Sequence, residues 1–144
     1  MGPDARPDRI VQRGRAKAYR PLPAERRRAI LAEGLAAYER GDFFLAHELL
    51  EPAWMGASDL AERDLYQGLI KLAAAFVHDV RGNPVGLRKN LVGARDRLAD
   101  AGSAGRAAGI DLERIVEAIA SRLALPPDEP VVPVPIARIA PPGS

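Results

Sequence analysis

The sequence predicts an all-α fold, a small bundle of about four to five helices, and three observations carry that reading. Apolar residues recur at i, i+3, i+4 and i+7 in successive segments. Each segment is opened or closed by a capping residue, a proline or a glycine. The 144 residues, 47% of them hydrophobic, suffice for one core, and no strand-like alternation with hairpin turns interrupts it. Aromatics at 5% leave that core mostly to Leu, Ile, Val and Ala.

Residues 1–22 contain Pro3, Pro7 and Pro21 among scattered arginines and read as an extended basic arm. Pro23 then opens the first helix of a bundle domain expected over 23–125. Its face is Leu31, Gly34, Leu35 and Tyr38, and Gly41-Asp42 closes it. Asp42 is the expected N-cap of a second helix carrying Phe43, His47, Leu50 and Trp54 on one stripe, which puts His47 on the buried side. The turn between them resembles a tetratricopeptide hairpin. A 34-residue step from Gly41 or Ala46 meets no second such turn, which excludes a tandem array.

Asp59 and Glu62 have capping-box spacing and open a third, central helix that runs to about Arg81. It is apolar on two faces, one through Leu65, Leu69, Leu72 and Phe76, the other through Tyr66, Ile70, Ala73, Val77 and Val80. Asn83-Pro84 starts a fourth helix with Leu87, Leu91, Ala94 and Leu98 inward, followed by a Gly-rich loop over 102–109. A fifth helix runs from Asp111 to about Leu125 on a stripe of Leu112, Ile115, Val116, Ile119 and Leu123. Seven prolines in 126–144 make the remainder a polyproline-like tail. Neither the arm nor the tail shows a helical apolar face, so removal of 1–20 and 128–144 is expected to cost little stability.

Charge and composition narrow the function classes. With Cys 0 there is no thiolate nucleophile and no cysteine metal site. The longest apolar run, Leu72–Val77, is far short of the ~20 residues of a membrane span. No apolar signal region follows the basic start either, and the reading is a cytoplasmic protein. Residues 1–28 hold nine Lys/Arg against three Asp/Glu while the rest holds twelve against sixteen. A basic arm on an acidic body reads as a solvated or self-docked tail; the few aromatics and the lack of a Gly-rich RNA motif weigh against nucleic acid. A homodimer, with the tail valines clamping a neighbour, is a further expectation.

His47 and Glu51, at i and i+4, stand on neighbouring turns and can share a metal ion or a proton. On the third helix Gln67, Lys71 and His78 form a polar stripe between the two apolar faces, from which they can meet His47 across the bundle. With 19 acidic residues the His-Glu spacing arises by composition about one time in eight, and such pairs commonly satisfy a hydrogen bond only. Both histidines nonetheless lie at inward helix positions, where unpaired polar atoms are costly.

The stretch from Phe43 to Trp54, with His47-x-x-x-Glu51-x-x-Trp54, followed by Gln67-Gly68-Leu69-Ile70, His78 and Gly82-Asn83, resembles the prokaryotic helical family known as domain of unknown function 309 (DUF309). The resemblance covers roughly residues 26–101. It implies a small helical bundle and a metal-binding role for His47 and Glu51, with Trp54 walling the site and Gln67 and His78 contributing from the next helix. Pro52 departs from it, since a proline inside the motif helix removes an N–H and presses on the Glu48 carbonyl, so a kink before Trp54 is expected.

Two readings follow. In the first, His47, Glu51 and His78 hold a divalent metal ion weakly, lined by Trp54, Gln67 and Lys71, with a position open to water. In the second, the same cluster is a structural hydrogen-bond network in a non-enzymatic interaction module. Neither reading fixes a reaction, and the family resemblance brings none.

Overall fold

The chain turns where its capping side chains satisfy backbone N–H groups that a helix start leaves unpaired. In the computed structural model, which describes residues 9–12, 15–126 and 128–139, α1 spans Ala24–Glu39 and begins after Pro23. Asp42 accepts from Leu45 N–H and opens α2, Phe43–Gly56. Asp59 accepts from Glu62 N–H at 2.9 Å and opens α3, Leu60–Val80. The other half of that expected capping box is not made, because the Glu62 carboxylate is taken in a forked ion pair by Arg27 of α1. Asn83 accepts from Gly86 N–H at 3.0 Å above Pro84 and opens α4, Pro84–Ala101.

The Gly-rich loop expected over 102–109 is instead partly helical. Gly102 turns the chain at φ 52°, which a residue with a side chain adopts poorly, and α5 winds one short stretch over Ser103–Ala107. Asp111 then accepts from Arg114 N–H and opens α6, Leu112–Leu123, whose Ile115 and Ile119 are fully buried against α4. The all-α bundle is therefore observed, with six helices among the described residues rather than four to five.

α3 is the central element. It packs on α2 along one side and on α4 along the other, and Leu65, Leu69, Leu72 and Phe76 are buried along it. Tyr38, Phe43 and Phe76 from α1, α2 and α3 meet as a ring cluster, with centroids 5.2 to 6.3 Å apart. α2 runs unbroken through Pro52, which lies exposed on its outer side.

Both chain ends engage the body, the arm through backbone hydrogen bonds and the tail through buried side chains, which for the tail overturns the expectation that it has no apolar face to bury. In the arm, β1 (Arg9–Gln12) and β2 (Arg15–Ala18) pair as an antiparallel hairpin. The chain then runs along the end of α2, where Arg20 N–H donates to Met55 O at 2.7 Å and Leu22 N–H to Gly56 O at 3.1 Å. Residues 1–8 and 140–144 lie outside the described residues. In the tail, Val134 and Ile136 are 4% and 7% exposed. Tyr38 donates its hydroxyl to Val134 O at 2.6 Å, and burial holds that phenol well above its ordinary value. Asp111 N–H donates to Ala137 O, and Ile139 N–H donates to Gly109 O, which fixes the tail beside the α5–α6 turn. Alternate residues of an extended chain reach the same side, so Val134 and Ile136 can both point inward where a search at helical spacing misses them.

Truncation after Glu129 should therefore lower the unfolding free energy by about 2–5 kcal/mol, from the two buried side chains and their exposed neighbours. Tyr38→Phe alone should cost about 1 kcal/mol. Urea unfolding of the three chains checks both, and a truncated chain as stable as the full one would show that the tail contributes nothing.

Candidate metal centre

On α2, Ala46, Leu50 and Ala53 take the core stripe, and none is more than 1% exposed. His47, one residue and about 100° further round the helix, falls at the edge of that stripe rather than inside it. Its side chain is 34% exposed, so the expectation of a buried histidine is corrected to a half-buried one. Glu48 and Glu51 are exposed beside it.

One ligand atom from each of His47, Glu48 and Glu51 lies within 4.8 Å of the others. Among the described residues this is the group able to hold a metal ion. His47 Nδ1 is 3.3 Å from Glu48 Oε1. Sequence reasoning passed over Glu48 because it looked one full turn on from His47. The available signal was Glu48-x-x-Glu51, an i, i+3 pair that brackets the histidine.

His78 lies elsewhere. Asn83 Oδ1 accepts from Gly86 N–H, which directs the Asn83 Nδ2 amide to donate to His78 Nδ1 at 3.1 Å. That contact occupies His78 Nδ1 beside the α3–α4 turn, and His78 is not part of the His/Glu group on α2. The convergence of His47, Glu51 and His78 expected from the sequence is not found: the structure brings the first two together and sets His78 at the α3–α4 corner. The reason is the angular position of the polar stripe. Lys71 and His78, seven residues apart on α3, lie over Gly93 and Gly86, seven apart on α4. A Cβ on either glycine would fall 2.9 Å from Lys71 Cδ or 2.5 Å from His78 Nδ1. That face is turned to α4, away from the outer side of α2.

Trp54 belongs to the α2–α3 seam. Arg63 stacks over the Trp54 ring with its guanidinium carbon 5.0 Å from the centroid. The Trp54 Nε1–H donor and the Gln67 Oε1 acceptor are both buried without a partner. Arg63, absent from every sequence expectation, is fully buried. It donates to Trp54 O at 3.0 Å, to Ala57 O at 2.9 Å and to Ala18 O at 3.1 Å. Burial lowers its guanidinium below the usual arginine range, opposed by the charges of Tyr19 and Asp64. The end of α2 supplies the compensation, because its unpaired carbonyls form the negative pole of the helix.

These features define the class of protein, a small all-α bundle with a surface His/Glu group on its second helix. Comparison agrees with the resemblance: the family model described as Domain of unknown function (DUF309) matches residues 31–90. An uncharacterized protein of Aquifex aeolicus (strain VF5) is 37% identical over 78 residues, which make up 52% of this chain and 23% of the relative. The chain thus spans less than a quarter of the relative's length. No solved structure matches it significantly.

Arg63→Met should keep the volume while leaving three carbonyls without their donor, and should cost about 2–4 kcal/mol in thermal or urea unfolding. Arg63→Lys, able to reach fewer acceptors, should fall between it and the wild type. Equal stability of all three chains would remove Arg63 from this role.

Proposed function

We propose that the protein is a metal-binding helical module that holds one divalent cation weakly at His47, Glu48 and Glu51 of α2, with water filling the remaining positions. The observation that carries this reading is the meeting of the three ligand atoms within 4.8 Å on successive turns of one rigid helix. The donor set fits: one imidazole and two carboxylates suit zinc, manganese or ferrous iron, and all three side chains reach solvent, from which an ion can enter. Pro52 adds to it, since it has no N–H to give the Glu48 carbonyl, which leaves an oxygen acceptor on the same turn. When bound, such a cation supplies Lewis acidity and lowers the pKa of its water. His47, Glu48 and Glu51 orient it, and α2, pinned at its end by Arg63, holds them in place.

The competing reading, a buried hydrogen-bond network that sets helix register, has less behind it. The His47–Glu48 contact joins sequence neighbours on one helix and fixes nothing between helices.

Titration of the purified, chelator-stripped chain with Zn2+ and Mn2+ should give one weak, exchangeable site. Glu51→Gln and His47→Ala should each weaken it about tenfold or more, because an amide or a methyl is a much poorer donor. The unfolding free energy of the metal-free variants should stay within about 0.5 kcal/mol of wild type, as for exposed positions. Metal affinity unchanged in both variants, or no binding by the wild type, would overturn the proposal.

A further inference from the structure

Glu48 and Glu51 also form one wall of a cleft of about 440 Å3 between α2 and the arm, lined by Arg20, Pro21, Leu22, Glu48, Glu51, Pro52 and Met55. That volume is within the range of small-molecule sites. The arm wall is fixed rather than loosely laid. Arg20 and Leu22 donate their N–H groups to Met55 O and Gly56 O, Arg63 holds Ala18 O, and Arg27 donates to Leu22 O. The cleft therefore pairs an apolar surface, made by Pro21, Leu22, Pro52 and Met55, with one guanidinium and two carboxylates.

Those charges make its preference depend on the cation. Without metal, two carboxylates and Arg20 leave a net negative cleft that repels anions. A divalent cation at the same carboxylates inverts the sign to net positive, with Arg20 as a second positive centre that can take a carboxylate by two parallel N–H donors. We infer that this cleft takes a small organic acid with a short hydrocarbon body, its carboxylate set between the cation and Arg20 and its chain on Leu22 and Met55. This rests on the metal reading above.

The test uses the full chain with hexanoate, acetate and hexylamine as probes, by calorimetry with Zn2+ and by proton relaxation of the probes with Mn2+. Hexanoate should bind the metal-loaded chain and not the metal-free one, at least about tenfold tighter than acetate, and hexylamine should not bind the loaded chain. Arg20→Gln should weaken hexanoate about five- to tenfold while the separately titrated metal affinity and the unfolding midpoint stay unchanged. If metal binds but hexanoate is indifferent to metal loading or to Arg20→Gln, this inference fails and the metal reading stands. If metal itself does not bind, both fall. Preference of the loaded chain for hexylamine would also overturn the inference.

Discussion

The Arg63 guanidinium joins three parts of the chain that no apolar contact could hold in the same way. α2 ends beside α3 with carbonyls that need donors, and the arm passes the same point in extended form with carbonyls of its own. A buried guanidinium with a planar fork of N–H groups answers Trp54 O, Ala57 O and Ala18 O at once. Burying a charge is costly unless it is paired and hydrogen-bonded. Here the negative pole of α2, the Trp54 ring face and the charge of Asp64 favour the guanidinium, and the burial-driven lowering of Arg63 registers the part of the cost that remains. The direction of α2, and with it the side to which His47, Glu48 and Glu51 point, depends on this knot.

α3 then divides the polar residues between two faces. Its α4 side carries Lys71 and His78 over the Gly93 and Gly86 positions, close enough that no side chain fits between. Asp64 on the same side pairs with Arg97 of α4 at 3.3 Å. These contacts lock α3 to α4 and leave His78 as a partner of the Asn83 cap. The α2 side carries Arg63 over the Trp54 ring. The polar residues of α3 are thus divided between its neighbours, because each inter-helix seam accepts only part of the circumference.

The helices were legible because their signals are local. The caps at Asp42, Asp59 and Asn83 and the inward stripes of α1 and α4 fall within a turn or two of sequence and appear in the structure as read, whereas the core stripe of α2 is Ala46, Leu50 and Ala53 rather than the one through His47, and Val80 at the end of α3 is 76% exposed. The DUF309 resemblance likewise rests on contiguous residues, and the family match lies inside it. What was not legible depends on contacts between distant segments. The buried tail residues Val134 and Ile136 have no helical period to betray them, since an extended strand of chain finds its pocket only after the helices are assembled. Arg63 reads as one more surface charge until the ends of α2 and the arm converge on it. His78 was placed with His47 because both appeared inward, and only the α4 glycines decide which way inward is.

The split between local and long-range features also runs through the site. His47, Glu48 and Glu51 lie in the segment that matches the family, so a cation held there draws on residues that one helix can supply alone. The opposite wall of the cleft, Arg20 to Leu22, lies before residue 31 and outside that match. One wall is thus set by the rigid geometry of a helix, while the other depends on the backbone bonds to Met55 and Gly56 and on the grip of Arg63 and Arg27. On the proposed reading, the charge that attracts a ligand resides in the segment that the family model matches, while the shape and the countercharge that select it reside in the arm. Loosening the arm should then affect selectivity before it affects the cation, because no ligand atom of the His/Glu group comes from it.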